Sequence, residues 1–181
     1  MTLVVGQNLK QLSDEFNICP PGSYDNYSLK LTLSPAIFVP KKNTEKVIDY
    51  ANSDAADFYD QDTIGSEGIK ISPNECILCC SEEFVKIPLG FFGMVQTKGS
   101  LARLFVSMHQ TDCQIEPGFC GAITFELKNH SPHTILLRRY DPVAQLFIWT
   151  CSTDNTPEYD GRYGSSKIPT LKVVKKKTDA D

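Results

Sequence analysis

The chain has 181 residues, a formal net charge of −4 and 41% hydrophobic residues, which suits one domain with a sizeable core. A mildly acidic balance argues against a general nucleic-acid binder, whose domains present a basic face. The N-terminal stretch MTLVVGQNLKQLSDEF has only a short apolar start, so neither a signal peptide nor a membrane span is expected there. Leu9, Leu12 and Phe16 fall at helical spacing and predict a short helix within Leu3 to Phe16, ended by Pro20-Pro21-Gly22. Tyr27 to Leu33 alternates apolar and polar residues, the pattern of a half-buried strand, and Ala36 to Val39 is a second short strand. Residues 43–68 are acidic and lack periodicity, which predicts an exposed loop or insertion. Its Asp54, Asp57, Asp60 and Asp62 lack the order of a calcium loop and are expected to be solvated.

Beyond Gly68 the chain reads as a series of short strands. These are Ile69–Ile71, Cys76–Cys80, Phe84–Ile87, Gly93–Thr97, Ala122–Leu127, Ile135–Leu137 and Ala144–Cys151. Turn signals such as Pro88-Leu89-Gly90, Glu116-Pro117-Gly118 and Asp141-Pro142 punctuate them, which predicts an all-β barrel or sandwich in a single domain over 1–181. From Asn155 onward the chain is polar and glycine-containing, a flexible segment over 155–181 able to order on a ligand. The basic run Lys172 with Lys175-Lys176-Lys177 is expected to be solvated.

The seven cysteines are an odd number. Cys76, Cys79, Cys80, Cys120 and Cys151 lie in apolar runs, where free cysteine acts as a small buried hydrophobe, so a reducing, cytoplasmic setting is expected. Cys76 and Cys79 form a C-x-x-C, the element that zinc-dependent nucleobase deaminases pair with an upstream H-x-E. None of His109, His130 and His133 begins an H-x-E or precedes Cys76, so no zinc site is expected.

Four constellations could carry chemistry. In Ala122 to Leu127 the period of two puts Ile123, Phe125 and Leu127 on one face and Thr124 and Glu126 on the other. A carboxylate so placed is either solvated or, beside a pocket, a general base. Lys98-Gly99-Ser100 opens a helical turn followed by Arg103. A cation, bare backbone and hydroxyl at that place suit an anion, and suit a capped solvent-facing turn equally. Leu101, Leu104 and Phe105 give the turn an apolar side. Gln145 interrupts an apolar strand and needs either buried partners or a ligand. Gly161-Arg162-Tyr163-Gly164-Ser165-Ser166 has the glycines, cation and hydroxyls to close over a phosphate, and a disordered tail would have the same composition.

Taken in order these motifs resemble one family, strongly from Ile87 to Trp149. Gly22-Ser23-Tyr24-Asp25 is similar to its early G-S-x-D segment, and Cys80 to Pro88 to its T-x-E-x-V-x-I-P strand. Lys98 to Arg103 is similar to its R-S-S-L-A-R phosphate motif, and His109 to Phe119 to H-x-T-x-x-x-I-D-P-G-F. Thr124 to Asn129 is similar to its T-L-E-L-x-N strand. The chain therefore resembles the dCTP deaminases of the trimeric dUTPase-like superfamily. Departures are Lys98 for arginine, Gly99 for serine, Asp112 for a small residue, Glu116 for aspartate and Arg162 for glutamine.

The resemblance implies a distorted, jelly-roll-like β-barrel that forms homotrimers, with sites between subunits that the C-terminal segment closes. It implies hydrolysis of dCTP to dUTP and ammonia, with Mg²⁺ carried by the triphosphate and no zinc. Bulk water has a pKa of about 15.7, so a base must take its proton, and Glu126 matches that base and the later acid. Lys98, Ser100, Arg103 and Arg162 would hold phosphates, Glu116 would lie under the deoxyribose and Tyr159 near the sugar. Gly99, Thr111, Asp112 and Gln145 complete the implied substrate contacts. Two related outcomes stay open: an enzyme giving dUMP, alone or after deamination, through the carboxylate at Glu116, and a non-catalytic deoxynucleotide sensor. No nucleic-acid or membrane partner is implied.

Overall fold

A computed structural model describes residues 1–42 and 45–172. In chain order the elements are α1 (Gly6–Phe16), β1 (Tyr24–Asp25), β2 (Ser28–Pro40), a 3-10 turn (Ala55–Phe58), β3 (Tyr59–Thr63) and β4 (Ile69–Ile71). They continue with β5 (Cys76–Lys86), β6 (Phe91–Thr97), α2 (Gly99–Ala102), β7 (Val106–Ser107), β8 (Gln114–Ile115), β9 (Cys120–Asn129), β10 (Ile135–Leu137) and β11 (Pro142–Thr150). The fold is all-β, as the strand pattern predicts. One curled sheet runs β7-β9-β5-β2-β11-β6-β8, with β1 and β3 also on β2, and β4 pairs with β10 apart from it.

Two pairs of predicted strands are continuous. Residues 27–33 and 36–39 merge into β2, and residues 76–80 and 84–87 into β5, each across a break in register opposite the other strand or β9. The break is held by Glu83, a buried carboxylate whose oxygens accept from the Thr32 amide and the Thr32 hydroxyl, both at 2.8 Å. Ser81 supports it, donating to the Glu83 carbonyl at 2.8 Å and accepting from the Ile123 amide at 2.9 Å. Polar residues that look like strand breakers thus bend one strand, a bulge that leaves no polar group wasted.

The core follows from the alternation. Leu29, Leu31 and Leu33 of β2, Phe125 and Leu127 of β9, and Leu146 and Ile148 of β11 are almost wholly buried in one cluster. Leu9 of α1 joins it, Leu12 packs against it, and Phe16 is largely exposed with its ring 6.4 Å from Phe91. Asn129 is fully buried and closes the end of β9: its amide donates to the carbonyls of Ile71 and His133, and its oxygen accepts from the Ser131 amide and hydroxyl.

The structure corrects three expectations. Residues 45–68 of the acidic stretch are not simply a loop, because the 3-10 turn and β3 lie along β2 and bury Ala55, Phe58 and Ile64. β3 is an edge strand whose Asp60 and Asp62 stay in water, so its composition hid the pairing. Cys76 is exposed and Cys120 and Cys151 are half-buried, while Cys79 and Cys80 fit the buried reading; all seven thiols are free. Leu104 and Phe105 are exposed and only Leu101 of that turn is buried, since α2 ends at Ala102 and Phe105 takes a left-handed φ of 58°. The lysines at 175–177, the end of the 155–181 segment, and residues 43 and 44 lie outside the described residues.

Candidate active site

β7 runs beside β9 for only two residues, pairing Val106 with Asn129 and Ser107 with Lys128. The chain then leaves β9 and crosses to β6, where the Met108 amide donates to Thr97 Oγ1 and the Val95 amide to the Cys113 carbonyl. This crossing joins the two edges of the curled sheet and leaves a cavity of about 630 Å³ beside the unpaired part of β9. Thr111 makes the turn in the left-handed region at φ 77°, and the next residue, Asp112, lines the cavity.

Glu126 lies in that cavity wall with Thr124, as the period of two predicts. Its Oε2 accepts from the Gln110 amide at 3.3 Å. Burial pushes the carboxyl up from its ordinary value; the Gln110 amide pulls it back, and the nearby Asp112 charge adds to the rise. Glu116, at the turn after β8, lines the same cavity. So does His109, whose Nδ1 is buried without a hydrogen-bond partner among the described residues.

The C-terminal segment contributes Tyr159, Arg162 and Thr170 to the cavity lining. The Tyr159 amide donates to the Pro117 carbonyl at 2.8 Å, and the Tyr159 ring meets Phe119 edge-on at 5.5 Å. Further along, the Ala122 amide donates to the Ser166 carbonyl, and the Thr170 amide to Thr124 Oγ1 at 2.9 Å. Two glycines permit this course. Gly118 has φ +84°, and a Cβ there would come 2.6 Å from Glu158 and 2.8 Å from the Tyr159 nitrogen. A Cβ on Gly161 would collide with the Tyr159 ring. The segment is finally gripped by the acidic stretch, where Lys172 donates to the carbonyls of Tyr50 and Ser53 and lies 5.2 Å over the Tyr50 ring.

The site residues expected from the sequence divide into two groups. Glu126, Asp112, Glu116, Tyr159 and Arg162 line the cavity together. Lys98, Gly99, Ser100, Arg103, Thr111 and Gln145 do not. Gly99, Ser100 and Arg103 are exposed on and after α2, and Arg103 has no ion pair among the described residues. Gln145 finds a partner inside the sheet, donating to Ser28 Oγ at 3.0 Å. His109, Gln110, Tyr59 and Lys172 are not among the expected site residues: His109 and Gln110 stand in the H-x-T motif and Tyr59 gives no local signal, while Lys172, expected to be solvated, is half-buried because its ammonium is taken up by the Tyr50 and Ser53 carbonyls.

Residues 5–151 match the sequence model of the dCTP deaminase-like family. A dUMP-forming dCTP deaminase of Methanobrevibacter smithii is 35% identical over 101 residues, 55% of this chain and 52% of that protein. One from Corynebacterium glutamicum is 36% identical over 100 residues, 55% of this chain and 53% of that protein. The match thus spans about half the length of these relatives. The crystal structure of 2'-deoxycytidine 5'-triphosphate deaminase from Agrobacterium tumefaciens superposes with a TM-score of 0.62 at 16% identity, over 81% of this chain and 48% of that one, a likeness of fold.

Proposed function

This chain belongs to the dCTP deaminase-like family, and from that premise we propose that it converts dCTP to dUMP, ammonia and pyrophosphate by adding two waters. The observation that carries the reading is that two carboxylates, Glu126 and Glu116, line one cavity. Glu126 takes a proton from the water attacking cytosine C4 and returns it to the departing amine. A carboxyl whose proton affinity is raised by burial suits both halves of that task. Glu116 then serves the second water, which attacks the α-phosphorus and expels pyrophosphate. The dUMP-forming activity of the similar proteins supports this two-step outcome over release of dUTP.

We further propose that the phosphate-binding side chains come from a second copy in a homotrimer. Lys98, Ser100 and Arg103 lie outside the cavity, and Ser100 and Arg103 are exposed, which supports their serving a neighbour's site. Among the described residues no three His, Cys, Asp or Glu side chains come together as a metal cage. The cavity offers hard carboxylate oxygens at Asp112 and Glu116, a donor set that fits Mg²⁺ arriving with the nucleotide and keeping phosphate and water ligands. Bound there, Mg²⁺ would offset the triphosphate charge. No zinc takes part in the proposed chemistry, and no described helix is long and apolar enough to cross a membrane.

The test is incubation with dCTP and Mg²⁺, with ammonia assayed and nucleotides resolved by chromatography. Ammonia with dUMP and pyrophosphate is expected. Ammonia with dUTP alone would remove Glu116 from catalysis, dUMP from dUTP but no ammonia from dCTP would make the protein a dUTPase, and tight binding without turnover would make it a sensor.

A further inference from the structure

The short pairing of β7 leaves Glu126 on a sheet edge, and one side chain takes the place of the missing strand. Gln110 Nε2 donates to the Glu126 main-chain carbonyl at 3.4 Å and to Ser107 Oγ at 2.8 Å. The Gln110 amide meanwhile donates to Glu126 Oε2 at 3.3 Å. The same residue therefore grips both ends of Glu126, its backbone and its carboxylate. Ser107 is the last residue of β7, and its hydroxyl also bonds His130 Nε2 at 3.2 Å. His130 is fixed in turn by its amide, which donates to the Phe105 carbonyl. The grip is thus anchored in the strand that frames the cavity, while the next residue, Thr111, turns away in the left-handed region.

We infer that Gln110 is a positioning residue for Glu126, holding the carboxylate at the reacting position through an amide clamp anchored on Ser107. The role assigned to Glu126 rests on the deaminase reading; the clamp itself does not. Two hydrogen bonds to one residue fix its strand and its side chain together, and a base misplaced by about 1 Å can lose about 100-fold in rate. The Gln110 amide also favours the ionised carboxylate, so loosening the clamp favours the protonated form.

Other titratable groups face Glu126. Cys79 adjoins it from β5, and His109, Asp112 and Glu116 share the cavity from the crossing turn and its end. Tyr59, Tyr159, Arg162, Tyr163 and Lys172 share it from β3 and the C-terminal segment. All are the same in every variant below, so a change in titration reports the clamp.

The test uses Gln110→Met, which keeps length and the main-chain N–H but removes the side-chain amide that holds it in place, together with Ser107→Ala and Ser107→Thr. The Glu126 carboxyl is titrated by ¹³C NMR in the free protein, with Glu126→Gln assigning its resonance, and deamination is followed against pH. Gln110→Met should move the Glu126 titration to higher pH and lower kcat about 10- to 100-fold with KM for dCTP unchanged. Ser107→Ala should do the same more weakly, and Ser107→Thr, which keeps the hydroxyl, should restore the wild-type titration. An unmoved titration in Gln110→Met, or a threonine variant no better than alanine, overturns the clamp. So does a loss of kcat matched by a loss of nucleotide affinity. If the wild-type protein releases no ammonia, the deaminase reading fails while the NMR titration still decides the clamp.

Discussion

At the scale of single residues, Glu126 is governed by burial and a neighbouring charge that raise its proton affinity and by two main-chain amides, those of Gln110 and Glu126 itself, that lower it. A carboxyl raised by folding contributes stability that is present below its unfolded value and lost as pH rises through its folded value. Glu126→Gln should therefore abolish ammonia release, retain dCTP binding by calorimetry, and melt higher than wild type at neutral pH. The gap in melting temperature should close in acid; each 1 kcal/mol corresponds to about 2–4 °C at this chain length. Asp112→Asn removes the charge that helps raise Glu126, so the acid limb of the deamination profile should move to lower pH. A profile that moves up or stays fixed would show that Asp112 does not act on the base. Glu126 was legible because a period of two in one strand decides its face. Gln110 was not, because its grip exists only where β7 stops after Ser107, and no local pattern announces that end.

At the scale of elements, the C-terminal segment and the turn after β8 depend on each other. Gly118 occupies a conformation that costs other residues roughly 1–2 kcal/mol, and any Cβ there meets the backbone of the segment. Gly118→Ala should lower the melting temperature and loosen Tyr159 from Phe119. Limited proteolysis should then cut faster between residues 155 and 165, with KM for dCTP raised more than kcat is lowered. An unchanged cleavage rate would detach the turn from the closing segment. The turn itself was legible from Glu116-Pro117-Gly118. The strand β3 was not, because the cue for an edge strand is weak where charged side chains face water, and only its pairing with β2 shows it. The same limit split β5 in two, since a buried Glu83 reads as a break until Thr32 is seen bonding it.

At the scale of the whole molecule, the fold class and the carboxylate wall of the cavity follow from sequence, but the division of the site residues does not. Motifs in one line of sequence carry no statement about which copy of the chain they serve. Mixing decides it. Glu126→Gln and Arg103→Ala, each inactive alone, should regain about a quarter of wild-type deamination after joint refolding if each site draws the two residues from different copies. A mixture as silent as its parts would put Arg103 and Glu126 in the same protomer, and an Arg103→Ala protein active on its own would put Arg103 outside the site.

β2 has a consequence for how the molecule comes apart. It hydrogen-bonds to β1, β3, β5 and β11, so both halves of the sheet own it at once. Neither half can detach and survive, and denaturation should be a single cooperative event, with the amides of Leu31 and Leu33 the last to exchange with deuterated solvent. Its chief partners, β5 and β11, arrive from far along the chain, so refolding must wait for distant ends to meet and should be slow for a protein of this size.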